Sequence, residues 1–326
     1  MARVRRDSRS RDRDSRSRGG FEDFIRDLLS FYDRISGAEY IPESSEIKEQ
    51  MDDIAERHGI VLYREGTNRS IYKNGDYVYK CAHKLDAAAD NIAEYEITNY
   101  ILDNNFGDLQ DHFALSERYM GGSEYILEQE FITPLHEAAR GDGGEAEAAL
   151  RLLMESPDAY ESLMSYLTDY FIISDVSPRS IFNFGLKTDY NGRDILAILD
   201  YGYFIPKGPG ELLCPECGDG VLKYDIKNIR AGNKSEEEEV INKIKSSVME
   251  KYVCTNPSCK LHNRPPLAGR VIEMYNEGLI DLVDERNRRM GGDRYADDRR
   301  SRSRRDSRER RPRSSSRRDS RGGFNR

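Results

Sequence analysis

The chain has 326 residues and a formal net charge of −8 at pH 7. This length leaves room for one two-lobed core of roughly 250 residues or for two smaller domains, with tails at the ends. No run approaches the roughly 18 consecutive apolar residues of a membrane helix, and the N-terminus lacks the apolar segment of a secretory signal. We therefore expect an intracellular protein of the cytoplasm or of a nuclear-like compartment, neither secreted nor embedded in a membrane.

The charge is distributed unevenly along the chain. Residues 1–20 carry eight arginines and three aspartates, and residues 299–326 carry thirteen arginines and three acidic residues. The residues between them therefore carry a net charge of about −23. Such an acidic body would repel nucleic acid and favour basic partners, whereas the basic ends would attract nucleic acid.

Both ends have low-complexity sequences in which arginine is mixed with serine and aspartate. We expect residues 1–20 and 291–326 to be disordered, because they contain almost no apolar side chains to bury. They resemble the RS domains of RNA-processing proteins, and this resemblance implies RNA binding, condensation or phosphorylation. A solubilising polyelectrolyte without a specific partner is the alternative.

Residues 21–58 are predicted to form two helices in front of a first lobe. Apolar residues recur at helical spacing from Phe21 to Ile35, and a second helix is predicted to start after Ser44. Both helices are interpreted as packing elements.

Residues 59–132 have the pattern of a small antiparallel sheet. Strands are expected on both sides of Gly66 and of the Asn74-Gly75 turn, and Lys80 ends the third of them. Two more strands are expected within residues 112–132.

A helix is predicted between these two groups of strands, at residues 84–102. It carries two glutamates, Glu94 and Glu96, about 160° apart around the helix axis. Only one of them can face the sheet, and the sequence leaves the choice open.

Residues 133–205 are predicted to form the core of a helical lobe. Two apolar runs, Phe171–Ile173 and Ile195–Leu199, are each followed by an aspartate, and aspartates at strand ends can meet in one cleft. These aspartates are Asp175 and Asp200.

Taken together, Gly66, Lys80, Asp175 and Asp200-Tyr201-Gly202 resemble the motifs of the protein kinases, and the resemblance covers roughly residues 55–205. It implies ATP as a ligand, with Gly66 and Lys80 at the phosphates and Glu94 or Glu96 paired with Lys80. It also implies that Asp175 is the catalytic base. Residues 125–131 resemble the strand and hinge whose backbone would hydrogen-bond adenine.

The resemblance further implies Mg²⁺, bound by Asp200 and by an asparagine after the catalytic aspartate. Asn183 is favoured for the second role, although Ser180 stands at the usual spacing. Ile173 and Ser174 replace the usual histidine and arginine, so coupling through that arginine is expected to be absent.

Four cysteines form two closely spaced pairs within residues 206–265: Cys214, Cys217, Cys254 and Cys259. Thiolates at such spacing are typical of tetrahedral zinc, and their flanking residues resemble zinc ribbons. His262 is interpreted as a neighbour of this site rather than a ligand, and Cys81 as a buried core thiol.

The sequence thus predicts an α+β protein with a two-lobed kinase-like fold, a reduced helical lobe, an inserted zinc ribbon and disordered termini. Further helices are expected at Ser235–Tyr252 and in residues 266–290. The expected function is that of an atypical phosphotransferase that uses Mg-ATP on serines of basic or RS segments, its own tails included. A pseudokinase scaffold with RNA-binding tails is the alternative, and phosphorylation of a small molecule is a third possibility. A virus with a large genome would be a plausible source.

Overall fold

The computed structural model describes residues 9–38, 42–104, 107–139, 144–155, 157–189, 191–225 and 250–283. These residues form a mixed α+β structure with several antiparallel sheets. The helices are α1 (Arg9–Ser36), α2 (Ser44–Arg57), α3 (Ala88–Asn104), α4 (Leu135–Ala138), α5 (Glu145–Glu155), α6 (Pro157–Tyr170), α7 (Lys260–Asn263) and α8 (Ala268–Asn276). The strands are β1 (Leu62–Glu65), β2 (Arg69–Asn74), β3 (Tyr77–Ala82), β4 (Ser116–Tyr119), β5 (Ile126–Glu130), β6 (Thr133–Pro134), β7 (Phe171–Ile172), β8 (Phe184–Thr188), β9 (Asp194–Ile198), β10 (Ile205–Pro206), β11 (Glu211–Leu213), β12 (Val221–Tyr224), β13 (Tyr252–Cys254) and β14 (Leu282–Val283). No helix in this part of the chain is long and apolar enough to cross a membrane.

The first five strands form one antiparallel sheet in the order β1-β2-β3-β5-β4. Alternation along β3 sends its side chains to opposite faces of the sheet. Tyr79 and Cys81 pack against α1 and α2, whereas Lys80 faces α3 and contacts Glu94. The sheet is therefore covered by helices on both faces, and its central strand carries the buried lysine.

Helix α1 is held on the sheet mainly by aromatic side chains. The ring centroid of Phe24 lies 4.9 Å from that of Tyr72 on β2. Further along the helix, the Tyr32 hydroxyl donates to the backbone oxygen of Ala82 at 2.5 Å. Helix α2 starts at a capping box in which the Glu46 carboxylate accepts the backbone N–H of Glu43.

The extent of α1 corrects one expectation. Residues 9–20, which were predicted to be disordered, belong to this helix. Extending a helix costs less than nucleating one, so the packed turns from Phe21 onward can support further turns in front of them. The remainder of the two predicted tails, residues 1–8 and 291–326, lies outside the described residues.

Residues 133–205, called here the helical lobe, hold the two apolar runs in separate strand pairs. Strand β7, in the first run, pairs with β10, and β9, in the second run, pairs with β8. The β8–β9 turn includes Gly192 with a φ of 78°, which glycine adopts without strain. The loop after β7 and the turn after β9 nevertheless end at the same cleft.

The last described part of the chain is called here the cysteine module and comprises residues 211–225 and 250–283. Its four strands form a sheet in the order β13-β12-β11-β14. Its apolar side chains, among them Leu222 and Tyr252, belong to the same core as Ile173 and Leu167 of the helical lobe. The module is thus packed into the lobe.

Two helix predictions fall in this region. The helix expected in residues 266–290 ends at Asn276, and Gly278 follows with a φ of 69°, the left-handed conformation that commonly ends helices. The chain then returns as β14, which pairs with β11. The helix expected at Ser235–Tyr252 lies for the most part outside the described residues, and Tyr252 itself is in β13.

Replacing Phe24 with alanine should destabilise the protein, because this side chain is fully buried between α1 and the sheet. Truncating a core phenylalanine lowers the free energy of unfolding by roughly 3–5 kcal/mol. Urea denaturation followed by circular dichroism measures the change. The control is Val61→Ala at a side chain that is 82% exposed, where we expect a change within about 0.5 kcal/mol. Equal small effects for the two variants would contradict the packing of α1 on the sheet.

Candidate functional site

A cleft of about 270 Å³ lies between the five-stranded sheet and the helical lobe. Five of the residues singled out in the sequence line it together: Gly66, Lys80, Asp175, Asn183 and Asp200. Its volume is close to the lower end of the range for small-molecule sites, roughly 300–1,000 Å³. Tyr63 and Arg64 of strand β1 also line the cleft, and Arg64 donates to the backbone oxygen of Phe182 at 3.2 Å.

Lys80 is buried and makes an ion pair with α3. Its Nζ lies 2.6 Å from Oε2 of Glu94 and donates to the backbone oxygen of Leu199 at 2.7 Å. Burial raises the pKa of Glu94 and lowers that of Lys80, while the neighbouring opposite charges oppose both shifts. Glu96 is exposed on the other side of the helix. The glutamate that pairs with Lys80 is therefore Glu94.

Arg69, the first residue of β2, is a second buried cation that the sequence reasoning missed. Its Nη2 lies 2.7 Å from Oε1 of Glu94 and 2.9 Å from Oδ1 of Asp200. Strand alternation could have identified it: Ile71 is the cross-strand partner of Lys80, and a residue two positions away points to the same face. Lys80, Glu94, Arg69 and Asp200 form a charge quartet with no net charge.

Asp200 opens onto the cleft, with its side chain 37% exposed. Desolvation opposes its ionisation, but the charges of Arg69 and Lys80 outweigh it and hold the pKa of the carboxyl well below its usual range. Tyr201 is fully buried; its hydroxyl donates to the backbone oxygen of Ala114 at 2.7 Å and lies 2.8 Å from Oγ1 of Thr98. The tyrosine thus anchors the Asp200 turn in the core.

Asp175 is exposed on the loop that follows β7. Its φ is 62°, and it is the only non-glycine residue with a positive φ in the described part of the chain. Its carboxylate accepts the hydroxyl of Ser180 at 2.6 Å and the side-chain amide of Asn183 at 2.8 Å. Both residues considered for the metal therefore orient Asp175. Because Asn183 also lines the cleft and donates through its nitrogen, its carbonyl oxygen is the group that could ligate a cation.

Two backbone donors within residues 125–131, the segment expected to meet adenine, are engaged within the protein. The backbone N–H of Glu130 donates to the backbone oxygen of Leu115 at 2.9 Å, and that of Phe131 donates to the backbone oxygen of Asp76 at 2.8 Å. Phe131 lines the cleft, and Lys73 Nζ lies 3.2 Å from the centroid of its ring.

The four cysteines of the module lie together and could hold a metal ion such as zinc. All four sulfurs are within 4.8 Å of one another. Two sulfur pairs, Cys214–Cys259 and Cys217–Cys254, are each separated by 3.7 Å. Tetrahedral zinc with Zn–S bonds of about 2.3 Å separates its sulfurs by about 3.8 Å. The donor set and its spacing therefore fit zinc.

Backbone N–H groups support this sulfur cluster. Gly220 donates to Cys217 at 3.3 Å, and Asn256 donates to Cys254 at 3.4 Å. A side chain at Gly220 would collide with the sulfur of Cys254, which explains the glycine. His262 is exposed and its Nδ1 lies 2.7 Å from the backbone oxygen of Cys254, so it contacts the backbone beside the cluster.

The fifth cysteine, Cys81, belongs to the core beneath α1 and α2, and burial raises the pKa of its thiol.

Comparison with known proteins adds no relative to this picture. No family model matches the chain, and no curated protein matches its sequence.

Replacing Glu94 with glutamine should destabilise the protein. The change leaves two buried cations without their shared carboxylate, and breaking such a pair costs roughly 3–5 kcal/mol. Lys80 can lose its proton, whereas Arg69 cannot, so we expect the loss of free energy of unfolding to lie near the lower end of this range. Glu96→Gln is the matched control on the same helix, with an expected change within about 0.5 kcal/mol. Thermal or urea unfolding measures both, and equal effects would contradict the pairing.

Protein purified with zinc should contain one zinc ion per chain, and Cys259→Ser should lower this content severalfold because a hydroxyl is a poor zinc ligand. Elemental analysis by mass spectrometry measures the ratio. The control is Cys81→Ala, which removes a thiol outside the cluster and should leave the zinc content unchanged. Zinc retained after two of the four ligands are replaced would contradict this site.

Proposed function

We propose that the chain is an atypical kinase-like phosphotransferase that uses Mg-ATP in the cleft. The observation that carries this proposal is the Lys80–Glu94 ion pair, at 2.6 Å, whose lysine lines the same cleft as Asp175, Asn183 and Asp200. Protein kinases require a lysine on their third strand that pairs with a glutamate on a helix. They also require an aspartate, two residues before a glycine, that binds the metal. Lys80 is likewise on the third strand.

The two-lobed kinase-like fold is part of this proposal. A five-stranded antiparallel sheet with α3 on one face would be the first lobe, and α5, α6 and the β8–β9 hairpin would form the second. The cleft lies between them. The proposal is supported further by the burial of Tyr201, since the residue after the metal-binding aspartate packs inward in active kinases.

In the proposed reaction Asp175 accepts the proton of the substrate hydroxyl, whose oxygen forms a bond to the γ-phosphorus of ATP while ADP leaves. Hydrogen bonds from Ser180 and Asn183 fix the direction of its carboxylate before the substrate arrives. Lys80 would bind phosphate oxygens while Glu94 holds its ammonium group in place. Magnesium held by Asp200 and Asn183 would supply the positive charge that neutralises the transferred phosphoryl group.

The charge balance of the cleft makes this metal essential to the proposal. Lys80 and Arg69 are matched by Glu94 and Asp200, so the quartet attracts a triphosphate only weakly. We therefore expect nucleotide to bind tightly only together with magnesium.

The Arg69–Asp200 ion pair favours a second candidate function. It occupies the carboxylate that magnesium needs, at 2.9 Å. If this pair persists when nucleotide is present, Asp200 cannot position magnesium for transfer, and the chain is a pseudokinase scaffold that binds nucleotide without turnover. Its Arg/Ser-rich ends would then supply the activity, by binding RNA or by condensation.

The charge distribution supports basic substrates. The body between the tails carries about −23, and serines lie among arginines at both ends of the chain. We propose serines in basic segments, the chain's own tails included, as phosphate acceptors. Phosphate on the tails would offset arginine charge and weaken binding to RNA.

Zinc is proposed as the metal of the cysteine module, with a structural role. The four sulfurs provide a complete tetrahedral set, and a closed set of four protein ligands is typical of structural rather than catalytic zinc.

Asp175→Ala should keep affinity for Mg-ATP and lose phosphotransfer by roughly 10²–10⁴-fold, the usual contribution of a positioned base. Asp200→Ala should instead abolish the effect of magnesium on nucleotide affinity. Isothermal titration with ATP, with and without magnesium, measures binding, and mass spectrometry of tail serines and of an added basic peptide measures transfer. Asp103→Ala, on an exposed position of α3, is the control and should resemble the wild type.

The wild-type protein distinguishes the candidates. Magnesium-dependent binding with transfer supports the phosphotransferase, and binding without transfer supports the pseudokinase scaffold. A wild type that binds no nucleotide would contradict the proposed use of the cleft.

A further inference from the structure

The loop that carries Asp175 is held by the cysteine module. The Glu250 carboxylate accepts three consecutive backbone N–H groups, those of Asp175, Val176 and Ser177; the last two bonds are 2.6 Å and 2.5 Å long. The Tyr224 hydroxyl donates to the same carboxylate at 2.9 Å. Consecutive N–H groups that converge on one carboxylate form an anion-binding nest. Here the anion is a side chain of the protein itself.

Tyr252 of the module completes this contact at the start of the loop. The backbone N–H of Ile173 donates to the Tyr252 hydroxyl at 2.8 Å, and the hydroxyl donates to the backbone oxygen of Ile173 at 3.1 Å. Ile173 and Val176 are fully buried, so their polar backbone groups need partners within the protein. Glu250 and Tyr252 together provide hydrogen-bond partners for the backbone groups at both ends of the loop.

These contacts affect the position of Asp175, because the backbone of this residue is strained. A positive φ in a non-glycine residue costs free energy and persists only where the surroundings enforce it. Glu250 binds the N–H of Asp175 itself and of the two residues that follow. Ile173 and Ser174, in front of Asp175, bring no charged side chain to the loop.

We propose that Glu250 and Tyr252 are positioning residues for Asp175, and that metal binding by the module fixes them in place. Tyr252 is two residues from Cys254 on the same strand, so a metal that orders Cys254 also orders the contact with Ile173. The catalytic half of the proposal rests on the function proposed for Asp175. The structural half, that the module holds the loop, does not depend on it.

The experiment compares Glu250→Gln and Tyr252→Phe with the wild type in the full chain. Glutamine keeps the shape but places an amide NH₂ against backbone N–H groups, and phenylalanine removes a single oxygen. Hydrogen exchange of residues 173–177, followed by mass spectrometry, should become about 10-fold faster or more, since hydrogen bonds to a charged group are lost. Phosphotransfer should show a lower kcat, by on the order of 10- to 100-fold, with an unchanged KM for ATP.

Glu273→Gln is the matched control, because Glu273 is exposed on α8 of the same module and pairs with Arg270. It should leave exchange and kcat within twofold of the wild type. The proposal is overturned if Glu250→Gln and Tyr252→Phe resemble this control in both measurements. Should the wild type transfer no phosphate, the function proposed for the cleft fails, and the exchange rates alone still decide whether the module holds the loop.

The role of the metal is tested on the wild type by removing zinc with 1,10-phenanthroline. Exchange of residues 173–177 should rise by about 10-fold or more and return to its first value when zinc sulfate is added. Exchange that is unaffected by zinc removal would overturn the metal-dependent part of the proposal.

Discussion

The charge quartet of Lys80, Glu94, Arg69 and Asp200, buried except at Asp200, is the constraint on which the arrangement of the cleft depends. It joins the sheet, helix α3 and the turn after β9 within hydrogen-bonding distance. A buried charge is tolerated only beside its partner, so none of these elements can shift independently of the others. Tyr201 extends the same constraint into the core through its bond with Ala114. The geometry of the cleft is therefore established by folding, before any ligand binds.

Arg69 has two opposing effects within this quartet. It stabilises Glu94 and Asp200 in the folded protein, but it also competes with any cation for Asp200. Because Arg69 also pairs with Glu94, it can release Asp200 and remain paired. The cost of admitting a metal is thus the loss of one contact rather than the exposure of an unpaired arginine.

The sequence allowed the alternating strands, the turn glycines and the cysteine pairs to be predicted, because each has a local pattern with a physical cause. The choice between Glu94 and Glu96 depends on how α3 is rotated against the sheet, which its own pattern does not determine. Arg69 was missed because a charged residue at a strand start usually faces solvent. Glu250 is 73–75 residues from the backbone groups it binds, and no local pattern signals such a pairing. The expected C-terminal helix was too long because the pairing of β14 with β11 is equally non-local.

The Asp175 loop lies where the helical lobe and the cysteine module meet. The helical lobe contributes the Tyr160 hydroxyl, which donates to the backbone oxygen of Val176 at 3.3 Å, and Asn183 binds the backbone oxygen of Asp175 at 3.1 Å. The cysteine module contributes Glu250. Since the module and the lobe share one core, a metal that stabilises the module also stabilises the lobe, because metal-binding energy becomes folding energy where the site forms only on folding. The stability of the metal site and the position of Asp175 are therefore physically linked.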